Sequence, residues 1–139
     1  MIIQDVFLKR VNWHIKIYYA VDTYYAMEIS DDLIRIGCRG ENLKAAEKML
    51  WGDNQNTGLT YSNLDTHETV MVISLSSSAA EYYNSFCHEQ LHVMQHISQS
   101  YKINMLSEDI CYILGELAQS MFAISKKLLC DCCRHKGEF

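Results

Sequence analysis

The side chains best suited to chemistry stand together in Phe86-Cys87-His88-Glu89-Gln90-Leu91-His92. His88-Glu89-x-x-His92 is an HExxH pattern. On a helix, residues four apart share a face one turn from each other, so both imidazoles can reach a single ion. Glu89 projects from the neighbouring flank toward a water held on that ion. A catalytic zinc site takes three protein ligands and leaves its fourth position to water, whose pKa falls to about 7. Glu89 would accept the proton of that water, and the implied reaction is hydrolysis, most often of a peptide bond. The bland alternative is a helix that happens to carry two histidines. Phe86, Leu91, Val93, Met94 and Ile97 weigh against it. Such an apolar helix is expected to be largely buried, and imidazoles beside a core need partners.

The third ligand must come from outside this helix. His96 continues the histidine stripe, yet it lies about 12 Å from His88 along the axis at 1.5 Å per residue. Zn–N bonds of about 2.0–2.1 Å cannot bridge that gap. His96 is therefore expected to be a supporting, cleft-wall or core residue. Better candidates are Glu108, Asp109 and Glu116 on the last helix, Glu108 foremost. A break at Lys102-Ile103-Asn104 would let that helix fold back against the first, with Tyr112 and Gly115 on the facing side. A glycine there would permit close helix packing. Tyr112 and His67 are candidates for stabilising charge on a reacting carbonyl oxygen.

Ala79 to Tyr101 reads as the long helix that carries the motif, with Ser76-Ser77-Ser78 supplying its N-cap. Ser107 is the expected N-cap of the last helix, which runs to about Leu129 with acids in its first turn. Upstream, Val11, Trp13, Ile15, Ile17, Tyr19 and Val21 share one parity, the mark of a strand with one buried face. Residues 1 to 10 are a lead-in that could add an edge strand or a docking turn. Asp22 is a candidate N-cap for a helix from Thr23 to Ile36, ended by Gly37-Cys38-Arg39-Gly40, and Glu41 to Trp51 reads as a second helix. After a turn cluster from Asp53 to Gly58 come strands at Gly58 to Ser62 and Glu68 to Ser76. Val70-Met71-Val72-Ile73 is too continuously apolar for a strand with a wet face, which puts it near the sheet centre or the cleft. The stretch from Val70 to Ser74 could hold an extended peptide by main-chain pairing.

A chain of 139 residues without repeats or linkers makes one domain, residues 1–139. A net charge of -5 argues against a nucleic-acid surface. No apolar run approaches the ~20 residues of a membrane span. Met1-Ile2-Ile3-Gln4-Asp5 lacks the features of an export signal, so the six cysteines are expected to be reduced thiols in a cytoplasmic protein. Cys130, Cys132, Cys133 and His135 could bind a second zinc, but with Cys132 and Cys133 adjacent they read as small apolar residues and exposed thiols on a helix end.

Three segments together resemble the small zincin-like peptidases of bacterial phages and mobile elements. They are Asn56-Thr57-Gly58-Leu59-Thr60-Tyr61-Ser62-Asn63, then Asn84 to His92, then Ser107-Glu108-Asp109-Ile110-Cys111-Tyr112-Ile113-Leu114-Gly115. The resemblance covers roughly residues 55 to 130. It implies an α+β, zincin-like fold: a small mixed sheet of about three strands packed on helices, the HExxH helix being followed by a C-terminal helix. It implies zinc held by His88, His92 and Glu108, with Glu89 as general base. Cys111 and Ile113 stand where the family has Ala and Leu, and Glu116 stands where it often has an aromatic residue. The expected function is a zinc metallopeptidase acting on a peptide or protein, with a homo-oligomer able to complete the cleft of so short a chain. The alternative is a non-catalytic zincin-like module that binds metal or a protein partner.

Overall fold

The computed structural model describes residues 2–21, 25–52 and 58–130. Apolar side chains that alternate, or run unbroken, specify four strands: β1 (Ile2–Leu8), β2 (Trp13–Val21), β3 (Gly58–Asn63) and β4 (Glu68–Ser74). Helical patterning gives α1 (Ala26–Arg35), α2 (Gly40–Trp51), α3 (Ala79–Tyr101) and α4 (Glu108–Leu128). The strands form one mixed sheet in the order β1-β2-β4-β3. β2 and β4 run parallel, while the outer pairs are antiparallel. The sheet thus has four strands where about three were expected, because the N-terminal lead-in pairs with Trp13 to Tyr19 of β2. The Asp22 cap and the turn from Asp53 to Thr57 lie outside the described residues.

Helices cover both faces of the sheet. Trp13, Ile15, Ile17 and Tyr19 of β2 join Met71 and Ile73 of β4 beneath α3 and α4. Tyr18, Val70 and Val72 pack on the opposite side against α1 and α2. This double cover is why β4 is apolar at successive positions. Val21 departs from the parity of Trp13 to Tyr19. Ala20 takes a left-handed φ of 55°, the register with β4 shifts between Tyr18 and Val21, and Val21 turns to the α1/α2 side. The β2 strand therefore buries both faces toward its C-terminal end.

α1 is tied to β2 through Asp32, which accepts from Lys16 Nζ at 2.7 Å, from the Tyr18 hydroxyl and from Arg35. Burial alone would raise the Asp32 carboxyl, but the three donors outweigh it and hold it below the usual range. Since the folded pKa is the lower one, this contribution is complete above the unfolded value near 3.9 and is lost as pH falls through the folded value. Asp32→Asn is expected to cost about 1–2 kcal/mol at pH 7. In urea unfolding followed by circular dichroism, the gap from wild type should close below about pH 4. An equal gap at pH 7 and pH 3 would show that ionisation of Asp32 contributes nothing.

The turn between α3 and α4 begins as expected at Lys102, whose left-handed φ of 58° closes the helix with its N–H donated to Ser98 O. Gly115 differs from expectation. It is exposed, and a Cβ built on it meets nothing within 4 Å, so it does not mediate helix packing. Gly115→Ala is accordingly predicted to stabilise the chain by about 1 kcal/mol, measurable by chemical unfolding. A destabilised variant would mean that something occupies the space above it.

Candidate metal centre

Two features fix the rotation of α3. At its start, Ser78 Oγ accepts from the Glu81 N–H at 3.1 Å, while the Glu81 carboxylate accepts from the Ser77 N–H at 3.1 Å. Along its length, Val93, Met94 and Ile97 are fully buried against the sheet. This rotation turns Glu89 inward beside β3 and leaves His88 outermost. The Glu89 side chain is 2% exposed and that of His88 is 51% exposed. The expectation of buried histidines thus holds poorly for His88, which sits on the solvent ridge of the helix, and Leu91 is exposed as well.

The two motif imidazoles converge. His88 Nε2 and His92 Nε2 are 3.1 Å apart. Two Zn–N bonds of about 2.05 Å at a tetrahedral angle would separate their nitrogens by ~3.3 Å. His92 Nδ1 lies 3.2 Å from Gln95 Oε1. A carbonyl oxygen can only accept, so Nδ1 carries the proton and the Nε2 lone pair is open to an ion. The pair therefore fits zinc in spacing, and His92 in tautomer as well, supplying two of its four positions.

Glu89 is held rather than free. Thr60 Oγ1 of β3 donates to Glu89 Oε1 at 2.9 Å, and Oε2 lies 4.0 Å from His88 Nε2. Burial pushes the Glu89 carboxyl above the ordinary range, against the opposing pull of Thr60, His88 and His92. A carboxylate so raised is a stronger proton acceptor. One turn on, His96 Nδ1 meets Ser62 Oγ of β3 at 2.7 Å. Burial lowers the His96 pKa, and the nearby His92 lowers it further.

The other expected participants stand elsewhere. Glu108 and Asp109 are exposed on the first turn of α4. Glu116 accepts from Arg10 Nη2 at 2.6 Å, and the same guanidinium sits 5.3 Å over the Tyr112 ring. His67, in the β3–β4 turn, stacks on Trp13 and meets the Tyr101 hydroxyl at 3.0 Å. Among the described residues, no three His, Cys, Asp or Glu side chains gather closely enough to hold an ion. Glu108 is therefore not brought to the histidine pair as the sequence suggested. The reason is axial position. Leu114 and Ala118 are the α4 residues that share a cleft with Cys87 and Leu91. Glu108 lies a further ~9 Å along the helix from Leu114, toward the turn. Cys38, Cys87 and Cys111 are free thiols, Cys38 buried and the other two exposed, and Cys130 is exposed as well. Asp131, Cys132, Cys133 and His135 lie outside the described residues.

Sequence reasoning missed Thr60, Ser62 and Gln95. The signal for the first two was available: Thr60 and Ser62 share the parity of β3 that faces α3. Nor is the stretch from Val70 to Ser74 open to an extended peptide by main-chain pairing, as the sequence suggested. Both edges of β4 are taken, by β2 and β3, whereas β3 ends the sheet and keeps one edge unpaired by any described strand. Along that edge runs a groove of about 310 Å³ walled by Asn42 of α2 and by His96 and Gln99 of α3, with Thr60, Tyr61 and Ser62 as its floor. A neighbouring hollow of about 270 Å³ shares Asn42, Thr60 and Tyr61. No helix among the described residues is long and apolar enough to cross a membrane. Compared with models of protein families, with curated proteins and with solved structures, the chain finds no match.

Proposed function

We propose that this chain is a zinc-dependent hydrolase of peptide bonds, of zincin-like type. The observation that carries the proposal is the 3.1 Å approach of His88 Nε2 and His92 Nε2 beside the buried carboxylate of Glu89. His88 and His92 would hold the ion. When bound, zinc would supply the Lewis acidity that brings the pKa of water to about 7. Glu89 takes the proton from the attacking water and returns it to the leaving amine, a role that suits a carboxylate with raised basicity. Thr60 keeps one carboxylate oxygen occupied, which holds Glu89 in a single orientation. The substrate is an extended peptide laid on the unpaired edge of β3, where main-chain hydrogen bonds give affinity with little sequence preference.

One observation favours a second function, a non-catalytic module that binds metal or a protein partner: the described residues offer no third protein ligand. The test is hydrolysis of casein, an unfolded protein of varied sequence, by zinc-loaded protein followed by mass spectrometry. Discrete cuts that vanish in Glu89→Gln support the hydrolase. Zinc uptake with casein left intact supports the binding module.

A further inference from the structure

We propose that His96 is a substrate-binding residue, donating a hydrogen bond from Nε2–H to a main-chain carbonyl of a peptide on the β3 edge, two residues from the bond that is cut. This rests on the hydrolytic function proposed above and adds a subsite to it.

His96 ends a chain of three hydrogen bonds that starts in the core. Trp13 Nε1–H can only donate, and it gives its proton to Thr69 Oγ1 at 2.7 Å. Thr69 is 1% exposed, so its own hydroxyl hydrogen needs an acceptor, and Ser62 Oγ stands 2.7 Å away. No other acceptor meets it among the described residues. Ser62 Oγ meets His96 Nδ1 at 2.7 Å, and giving its hydrogen there lets each hydroxyl of the run accept one hydrogen bond and donate one. In that arrangement Nδ1 is the acceptor and Nε2 bears the hydrogen of the neutral ring.

The spacing fits an extended chain. The His92 and His96 rings lie 6.3 Å apart, centre to centre. A strand advances about 3.3–3.4 Å per residue, so carbonyls two residues apart are ~6.7 Å apart and point the same way. A peptide whose reacting carbonyl sits at His88 and His92 brings its next like-facing carbonyl to His96. The His96 ring lines the groove on the β3 edge, so the donor meets the peptide on the path already described.

The experiment starts from a casein site cut by zinc-loaded protein, rebuilt as synthetic peptides shortened residue by residue from each end. His96→Ala should lower kcat/KM about tenfold, through KM, on peptides that reach two residues past the cut on one side. On shorter peptides it should change nothing. His96→Gln, whose amide can donate, should recover part of the loss, and Ser62→Ala should fall between. Nitrogen-15 NMR of metal-free protein should show His96 with bare Nδ1 and protonated Nε2, and a tautomer mixture in Ser62→Ala. A protonated Nδ1 in the wild type, or an equal loss at every peptide length, would overturn the subsite while leaving the hydrolase standing. A wild type that cuts no casein would overturn the hydrolase and the subsite together, whatever the tautomer.

Discussion

Glu89→Gln should lower hydrolysis by at least about 1,000-fold, within the range expected when a general base is removed, while leaving zinc uptake unchanged. Glutamine keeps the shape and can still accept from Thr60 Oγ1, so the loss would be chemical rather than architectural. The same substitution should stabilise metal-free protein at neutral pH by about 1 kcal/mol, as is common where a site holds a residue for activity at a cost in stability. Burial raises the folded pKa of Glu89, so its protonated form is the one that suits the fold. For an acid shifted upward, stability is highest below the unfolded pKa, near 4.3, and declines as pH rises through the folded pKa. The advantage of Gln over Glu should therefore be present at pH 7 and absent near pH 4. Thermal unfolding across that range checks it. A Gln variant that retains activity would remove Glu89 from the mechanism.

His88→Ala should abolish zinc binding at stoichiometric metal. One of only two convergent imidazoles is lost, so affinity should fall by more than the 10–100-fold that loss of a mere supporting partner costs. The fold should survive, because the His88 side chain is half exposed and packs into no core. Circular dichroism of the metal-free variant should match wild type, while the zinc-dependent rise in melting temperature disappears. Glu108→Ala is the contrasting arm. With Glu108 exposed near the α3–α4 turn, zinc affinity should stay within about twofold of wild type. A large loss in Glu108→Ala would mean that α4 moves to complete the site when metal binds.

Much of the architecture was legible because burial imposes a period on the sequence. The long helix, its Ser78 cap and the break at Lys102 followed from local chemistry. The central place of β4 followed from its unbroken apolar run. The candidate site was legible where it is local: His88, Glu89 and His92 fall within about one turn of one helix, so their proximity needs no tertiary knowledge. What failed was non-local. Whether Glu108 reaches the pair depends on how far α4 slides along α3, which no periodicity encodes. Which strand keeps a free edge depends on sheet order, and the parallel β2–β4 pairing reverses the choice. The Trp13–Thr69–Ser62–His96 chain joins four separate elements, and its hydroxyls look like ordinary strand residues until the sheet is assembled.

X-ray absorption at the zinc edge, on protein loaded with one equivalent, tests most directly whether the ion sits between the motif histidines. Two imidazole nitrogens at about 2.0–2.1 Å, lost in His88→Ala, are predicted. Thiolate sulfur at about 2.3 Å, or an imidazole signal unchanged in that variant, would place the metal elsewhere and contradict the proposed centre.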